Sequence, residues 1–216
     1  EASNSGDCCG ETSSCCGVSS DDAINTLVST RLGYSEDDLA AVPKGADMGL
    51  GCGNPRAIAS IKTGETIVDL GSGGGFDCFL AAVETGETGS VIGVDMTPTM
   101  ISKARDNADR GQYKHVEFRL GEIENLPVAD DTVDVIISNC VINLSPNKAR
   151  VFAETFRVLK TGGRLAISDV VASTELPDDM REDLMLYSGC MAGASLIAEL
   201  ETILSDCGFT EIKISP

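Results

Sequence analysis

Three cysteines stand at positions where a sulfur atom would be open to a ligand. Cys52, Cys140 and Cys190 each lie in a loop or at the end of a strand, among small residues. A cysteine with a purely structural role would more usually have bulky apolar neighbours. Three thiolates brought together from distant parts of a chain suit a soft, thiophilic ligand. Structural zinc normally draws its ligands from closely spaced cysteine pairs, and none of these three belongs to such a pair.

The other cysteines fall into two groups. Cys78 lies on a predicted helix and Cys207 near a helix end among apolar neighbours, so both are interpreted as small core residues. Residues 1–19 are rich in serine, glycine and cysteine without hydrophobic periodicity, which predicts a flexible segment. Two interpretations stay open for it: an oxidation-prone tail, or a soft-ion tether or dithiol relay. Its cysteines, in a duplicated Cys-Cys-Gly sequence, are Cys8, Cys9, Cys15 and Cys16.

A strand and a glycine-rich turn form the element that would hold a ligand. Residues 66–70 are a short apolar run, and the turn that follows has glycine at 71, 73 and 75. Glycine lets backbone N–H groups come close to a bound molecule. A second predicted strand, 90–95, ends in Asp95, which lies 24 positions after the first of these glycines. A ribose-binding acid is expected at a spacing of about 20. The pair therefore predicts a nucleoside cofactor rather than a simple tight turn.

The remaining pattern predicts an open α/β sheet. Short apolar runs alternate with helical patterns, and the fourth run delivers Asn139 and Cys140 to the carboxyl end of a strand, where ligands bind in such sheets. The predicted helices cover 20–32, 35–41, 77–83, 97–110, 145–161 with Gly162 and Gly163 as the stop, 177–191 and 195–207. The predicted strands cover 66–70, 90–95, 116–120, 134–140, 164–171 and 209–214.

The composition of the 216-residue chain limits its partners. The formal charge is −18 and the pI is near 4.2, so nucleic acid would be repelled. The acidic surface fits either a salt-rich cytosol or simple solubility. No apolar run approaches the roughly 20 residues of a membrane span. Nine cysteines in a chain of this class favour thiols kept reduced inside the cell, although the start at Glu1 leaves a removed signal peptide open.

Several segments together resemble the arsenite S-adenosylmethionine methyltransferase family, a branch of the class I methyltransferases. The turn at 69–75 is common to class I methyltransferases in general. The Gly-Cys-Gly sequence at 51–53 and the Cys-Val-Ile-Asn-Leu sequence at 140–144 are far more specific. The resemblance runs from about Ser29 to the end of the chain and also includes residues 94–97, 138–139, 156–160 and 189–190.

The resemblance implies a Rossmann-like sheet with helices on both faces. Residues 20–216 would form this class I methyltransferase domain with its arsenic-binding loops, behind the flexible segment at 1–19. Members of the class typically have seven strands, whereas six are predicted here. We therefore predict that the last strand is missing, that the domain is truncated at its C-terminus, and that the sheet has an unusual edge.

The resemblance also implies the residues of the site. Cys52, Cys140 and Cys190 would bind trivalent arsenic and hold it during catalysis. Arsenic held by three thiolates is pyramidal and keeps its lone pair on the open side, so in-line methyl transfer from S-adenosylmethionine needs positioning but no general base. The cofactor site would be lined by Asp69, Gly71, Gly73, Asp95, Met96, Ile123, Glu124, Asn139 and Val141.

The expected protein is a cytoplasmic enzyme of arsenic detoxification. Its substrate would be arsenite or a thiol conjugate of it, and a thiol reductant such as glutathione or thioredoxin would be its partner. Neither nucleic acid nor a membrane is expected as a partner. Two alternatives stay open. A class I C- or O-methyltransferase of a small metabolite would have no use for the three cysteines, and a non-enzymatic soft-metal-binding protein would leave the cofactor turn unexplained. The number of methyl groups transferred and the oligomeric state are not predicted.

Overall fold

The computed structural model describes residues 20–175, 177 and 190–215 of the chain. Its main sheet consists of β1 (Thr66–Leu70), β2 (Ser90–Asp95), β3 (Val116–Leu120), β4 (Val133–Asn139) and β5 (Leu159–Ser168). All five strands are parallel and lie in the order β3-β2-β1-β4-β5. The order reverses at β1, so the carboxyl ends of β1 and β4 flank the point where such sheets bind their ligands.

The central strands are apolar on both faces because helices cover both sides of the sheet. In β1, Ile67 and Val68 are fully buried and point to opposite faces. Ile67 packs in one core cluster with Phe79, and Val68 packs in a second cluster with Phe152. The two clusters hold the sheet rigidly, so the loops at its carboxyl edge start from fixed positions.

Seven helices and one 3-10 turn surround the sheet in the described part of the chain. None of these helices has the length and apolar character needed to cross a membrane. They are α1 (Ser20–Arg31), α2 (Glu36–Ala41), α3 (Arg56–Ala59), α4 (Phe76–Thr85), α5 (Pro98–Gly111), α6 (Lys148–Val158) and α7 (Ile197–Cys207), and the 3-10 turn is Ile142–Leu144.

The N-terminal helices are tied to the domain by polar contacts. Helix α2 starts with a capping box in which the Ser35 side chain accepts the N–H of Asp38, and the Asp38 side chain accepts the N–H of Ser35. Arg56 of α3 forms an ion pair with Asp38 at 2.8 Å and another with Glu84 of α4. These contacts fix both ends of the loop that carries Cys52.

The predicted helix at 145–161 is shorter in the structure. Its first residue follows Asn147, whose side chain accepts a backbone N–H of the first turn, and the helix ends at Val158. The prediction that Gly162 and Gly163 stop the helix was wrong, because β5 runs through both glycines. Leu159 already pairs with Val133 of β4, so strand pairing ends the helix.

The predicted sixth strand at 209–214 was also wrong. This segment has no regular structure, since no strand in the described part of the chain pairs with it. Phe209 instead packs edge-on against Phe156, with ring centroids 5.3 Å apart. A separate two-stranded parallel sheet is formed by β6 (Val171–Ala172) and β7 (Ser195–Leu196). The predicted flexible segment at 1–19 and most of the predicted helix at 177–191 lie outside the described residues.

Candidate functional site

The turn after β1 brings its backbone close to the end of β4. Gly71, Gly73 and Gly75 have φ angles of 69°, 50° and 92°, which glycine adopts without strain. A Cβ atom on Gly71 would lie 2.6 Å from Cγ2 of Val141. Only glycine therefore allows the two loops to meet at the point where the strand order reverses.

Asp95 ends β2 beside this turn, and backbone groups orient its carboxylate. Oδ2 accepts the N–H of Gly73 at 3.0 Å, and Oδ1 accepts the N–H of Thr97 at 2.8 Å. The next side chain, Met96, is 73% exposed although it is apolar. A carboxylate with free lone pairs next to an exposed apolar side chain suits a ribose and the base attached to it.

A buried hydroxyl in the same turn lacks a partner. Ser72 is buried, and its Oγ has no hydrogen-bond partner among the described residues. Such groups are rare in native proteins because they are costly to desolvate. The unpaired Ser72 hydroxyl and the glycine turn together fit a nucleoside cofactor. Of the other predicted cofactor residues, Ile123 is buried, and the Glu124 carboxylate accepts a hydrogen bond from the Ser145 hydroxyl.

Asp69, another predicted cofactor residue, lies in the core of the sheet. Its side chain is 3% exposed, and its Oδ2 accepts a hydrogen bond from the Cys78 thiol at 3.2 Å. Burial and the nearby Asp77 raise the pKa of Asp69 well above its usual range. Cys78 is fully buried, as expected for a core residue.

Asp69→Asn should stabilise the chain increasingly as pH rises. Because the folded-state pKa is raised, folded Asp69 holds a proton that the unfolded chain releases above about pH 4. The wild-type chain therefore loses about 1.4 kcal/mol of unfolding free energy per pH unit until the raised pKa is reached. Asparagine does not titrate, so the stability of the variant lacks this dependence on pH. Thermal unfolding of both chains across mildly acidic to neutral pH measures the effect, and a pH-independent difference would contradict it.

The structure brings the three predicted cysteines to the carboxyl ends of β4 and β5. The sulfur atoms of Cys52 and Cys140 and a carboxylate oxygen of Asp169 lie within 4.8 Å of one another. The Cys190 thiol donates to the backbone carbonyl of Cys140 at 2.9 Å, and it also interacts with the Cys140 thiol. Cys140 therefore stands between the other two cysteines.

Asn139 fixes the loop that carries Cys52. Its Oδ1 accepts the N–H of Cys52 at 3.0 Å, and its Nδ2 donates to the carbonyl of Gly53 at 2.9 Å. The same Nδ2 lies 3.1 Å from Asp77 Oδ2 and 3.2 Å from the hydroxyl of Tyr34, which itself donates to Asp77 at 2.6 Å. The polar atoms of this predicted cofactor residue are thus already bonded within the protein.

Asn143 fixes the turn that carries Cys190. Its Nδ2 donates to Asp169 Oδ1 at 2.8 Å, to the carbonyl of Val170, and to the carbonyl of Cys190 at 3.2 Å. Asn143 is 4% exposed, so these bonds are shielded from water. The two asparagines, one on each side of Cys140, attach the two other cysteine segments to the end of β4.

The glycines on either side of Cys52 are required by close packing. A Cβ on Gly51 would lie 2.8 Å from Nδ2 of Asn139, and a Cβ on Gly53 would lie 2.7 Å from Cβ of Ser168. Any side chain at either position would push the Cys52 loop away from β4 and β5. Neither glycine has a positive φ angle, so conformational freedom is not the reason for them.

Cys140 and Cys190 both have left-handed backbone, with φ angles of 58° and 62°. This conformation is unfavourable for residues other than glycine and is concentrated at functional sites. The hydrogen bond with Cys52, followed by burial, raises the pKa of Cys140, and burial raises the pKa of Cys190 to about 12. Both are therefore protonated thiols at neutral pH, and a ligand has to displace their protons.

Sequence reasoning missed two members of this arrangement. Asp169 follows the end of β5, and a polar residue at that edge of a parallel sheet is a signal that could have indicated it. Tyr34 comes from the segment before α2, and nothing in its sequence neighbourhood indicates a contact with Asn139. Asn143 was part of the motif at 140–144, but its contact with the Cys190 turn appears only in the fold.

Comparison with known proteins agrees with this fold. A profile described as a methyltransferase domain matches residues 61–208, so the chain belongs to the methyltransferase domain family. It is 54% identical to the arsenite methyltransferase of Halobacterium salinarum, covering 100% of this chain and 56% of that protein. It is 41% identical to the arsenite methyltransferase of Homo sapiens, covering 66% of this chain and 40% of that protein.

A solved structure supports the same relationship. The crystal structure of an arsenic(III) S-adenosylmethionine methyltransferase from Chlamydomonas reinhardtii superimposes with a TM-score of 0.69 and 38% identity, covering 85% of this chain and 62% of that one. The predicted class I methyltransferase fold and the resemblance to arsenite methyltransferases are confirmed. The chain spans about half the length of the curated arsenite methyltransferases that it matches.

Proposed function

We propose that this chain methylates trivalent arsenic, with S-adenosylmethionine as the methyl donor. The observation that carries the proposal is that Cys140, at the carboxyl edge of a methyltransferase sheet, lies next to Cys52 on one side and contacts Cys190 on the other. Three sulfurs drawn from separate loops offer a soft ligand set that a small-metabolite methyltransferase would not need.

The protonation of the site suits neutral arsenite. Each of three thiols can give its proton to a hydroxyl group of arsenious acid, so three sulfur–arsenic bonds form and three waters leave. Loading therefore needs no ionised cysteine at equilibrium, in agreement with the raised pKa values of Cys140 and Cys190. An arsenic–thiol conjugate would load in the same way, with free thiols leaving instead of water.

The protein contributes mainly position to the reaction. Three sulfurs on one side of arsenic leave its lone pair on the opposite side, where it can accept an alkyl group. S-adenosylmethionine, when bound, supplies a methyl group that a nucleophile can take in line with the carbon–sulfur bond. We propose that Asp95 and the turn at 71–75 hold this cofactor, together with the exposed face of Met96 and the backbone around Val141.

The proposed chemistry also indicates the surroundings of the protein. The three thiols have to remain reduced, which favours a cytoplasmic location and a thiol reductant such as glutathione or thioredoxin as partner. A net charge of −18 disfavours nucleic acid as a partner.

The direct test is turnover of the full chain with arsenite, S-adenosylmethionine and a thiol reductant. We expect methylated arsenic together with one S-adenosylhomocysteine for each methyl group transferred, measured by chromatography with mass spectrometry. Cys207→Ser is the matched control, because Cys207 lies on α7 with its thiol against the carbonyl of Ala149 on α6, and it should retain activity. Arsenite binding without methylated product would contradict the proposal and indicate a binding protein.

A further inference from the structure

A carboxylate stands beside two of the thiols of the proposed arsenic site. One oxygen of Asp169 and the sulfurs of Cys52 and Cys140 are mutually within 4.8 Å, and all three residues are partly buried. Trivalent arsenic with three sulfurs at hand has little need for a hard oxygen donor. Asp169 anchors Asn143, but the proposed function does not use its carboxylate as a donor to arsenic.

Two cysteine sulfurs and one carboxylate oxygen form a donor set that zinc-like cations accept. Zn²⁺ binds cysteine sulfur at about 2.3 Å and carboxylate oxygen at about 2.0–2.2 Å, in tetrahedral geometry. Ligand atoms on such an ion stand roughly 3.5–3.8 Å apart. The three donors are therefore close to the spacing that a bound cation would impose.

The Asp169 carboxylate is oriented as ligating carboxylates are. Its Oδ1 accepts the N–H of Val170 at 2.8 Å and Nδ2 of Asn143 at 2.8 Å. Its Oδ2 accepts a longer bond of 3.3 Å from the N–H of Asn143. Outer hydrogen bonds of this kind fix the direction of a metal ligand. The carboxylate also accepts a backbone hydrogen bond from Ile142 and lies near the Lys148 cation.

We propose that Cys52, Cys140 and Asp169 form a site for a divalent thiophilic cation of the zinc class. Binding forms two sulfur–metal bonds and one oxygen–metal bond, and the two thiol protons pass to solvent. Arsenic requires Cys190, whereas the cation requires Asp169. Because Cys52 and Cys140 are shared, the cation and arsenic exclude each other. This exclusion rests on the proposed function, but the cation site does not.

Two variants with opposite expected effects test the proposal. They are made in the full chain with the four cysteines of residues 1–19 changed to serine, so that these do not bind metal. Calorimetric titration with Zn²⁺ alone should show one ion per chain. Asp169→Asn should weaken Zn²⁺ binding at least about tenfold and should change the affinity for arsenite much less. Cys190→Ser should weaken arsenite binding and largely retain Zn²⁺. Binding of S-adenosylhomocysteine reports that each variant is folded.

The ratio of the dissociation constants for Zn²⁺ and arsenite, compared between each variant and the parent chain, decides whether the proposed cation site exists. Opposite shifts of this ratio in the two variants support the site. Unchanged Zn²⁺ affinity in Asp169→Asn, or equal losses of both ligands in Cys190→Ser, would overturn it. Because Cys190→Ser leaves Asp169 in place, it still tests the proposal if Asp169→Asn fails to fold. Zn²⁺ binding with no arsenite turnover in the parent chain would contradict the proposed function alone.

Discussion

Cys140→Ser is expected to abolish methyl transfer to arsenite and to change S-adenosylhomocysteine affinity by less than about twofold. Cys140 lies next to both Cys52 and Cys190. Its removal therefore takes away the sulfur that connects the other two in the proposed arsenic site. Serine has nearly the same shape but a hard oxygen, which is a poor donor to arsenic. Turnover and calorimetric binding of S-adenosylhomocysteine measure the two effects separately.

The contrast between activity and cofactor affinity is what makes this variant informative. Cys140 lies past the end of β4, and the cofactor turn follows β1, so losing one thiol leaves the Gly71–Asp95 region intact. Full activity in Cys140→Ser would rule out methyl transfer to arsenic held by three sulfurs. Loss of cofactor binding together with activity would indicate damage to the fold instead. Cys207→Ser controls for the removal of a thiol as such.

Asn139→Ala is expected to lower the unfolding free energy by about 2–4 kcal/mol and to release the Cys52 loop. The variant leaves the N–H of Cys52 and the carbonyl of Gly53 without these partners, and it removes one of the two hydrogen bonds to the buried Asp77, which keeps the one from Tyr34. Each buried polar group left without a partner costs about 1–3 kcal/mol. Urea unfolding measures the stability. The rate at which Cys52 reacts with a thiol reagent, followed by mass spectrometry, measures the release of the loop.

Asn143→Ala provides the matched comparison. Its side chain attaches the Cys190 turn, so this variant should increase the reactivity of Cys190 more than that of Cys52. The surface residue Asn125 gives the control, because Asn125→Ala removes an exposed asparagine. If both variants raise the reactivity of both cysteines equally, the asparagines act through overall stability and not as separate attachments.

The sequence was informative where local pattern and chemistry coincide. The strand at 66–70, the glycine turn and the acid at the end of β2 follow from residue types and spacing, and the structure forms all of them. The three cysteines could be singled out because their small neighbours were unusual. Their meeting in space was a hypothesis, since positions 52, 140 and 190 share no local element.

Features that depend on tertiary partners could not be predicted. Helix α6 ends where β5 begins to pair with β4, and the glycines at 162 and 163 give no sign of this. Residues 209–214 have the alternation of a strand but find no strand to pair with in the described part of the chain. The contacts of Asp169 and Asn143 likewise arise only when β5 and the Cys190 turn come together.

The backbone conformation at Cys140 and Cys190 places the chemistry and the stability of this protein in opposition. Glycine would occupy φ angles of 58° and 62° without penalty, whereas each cysteine costs about 1–2 kcal/mol there. A chain optimised for folding stability alone would have glycine in place of cysteine at these two positions. Their retention means that the folded state is less stable than its topology allows, and that a ligand bridging the loops would restore part of the difference.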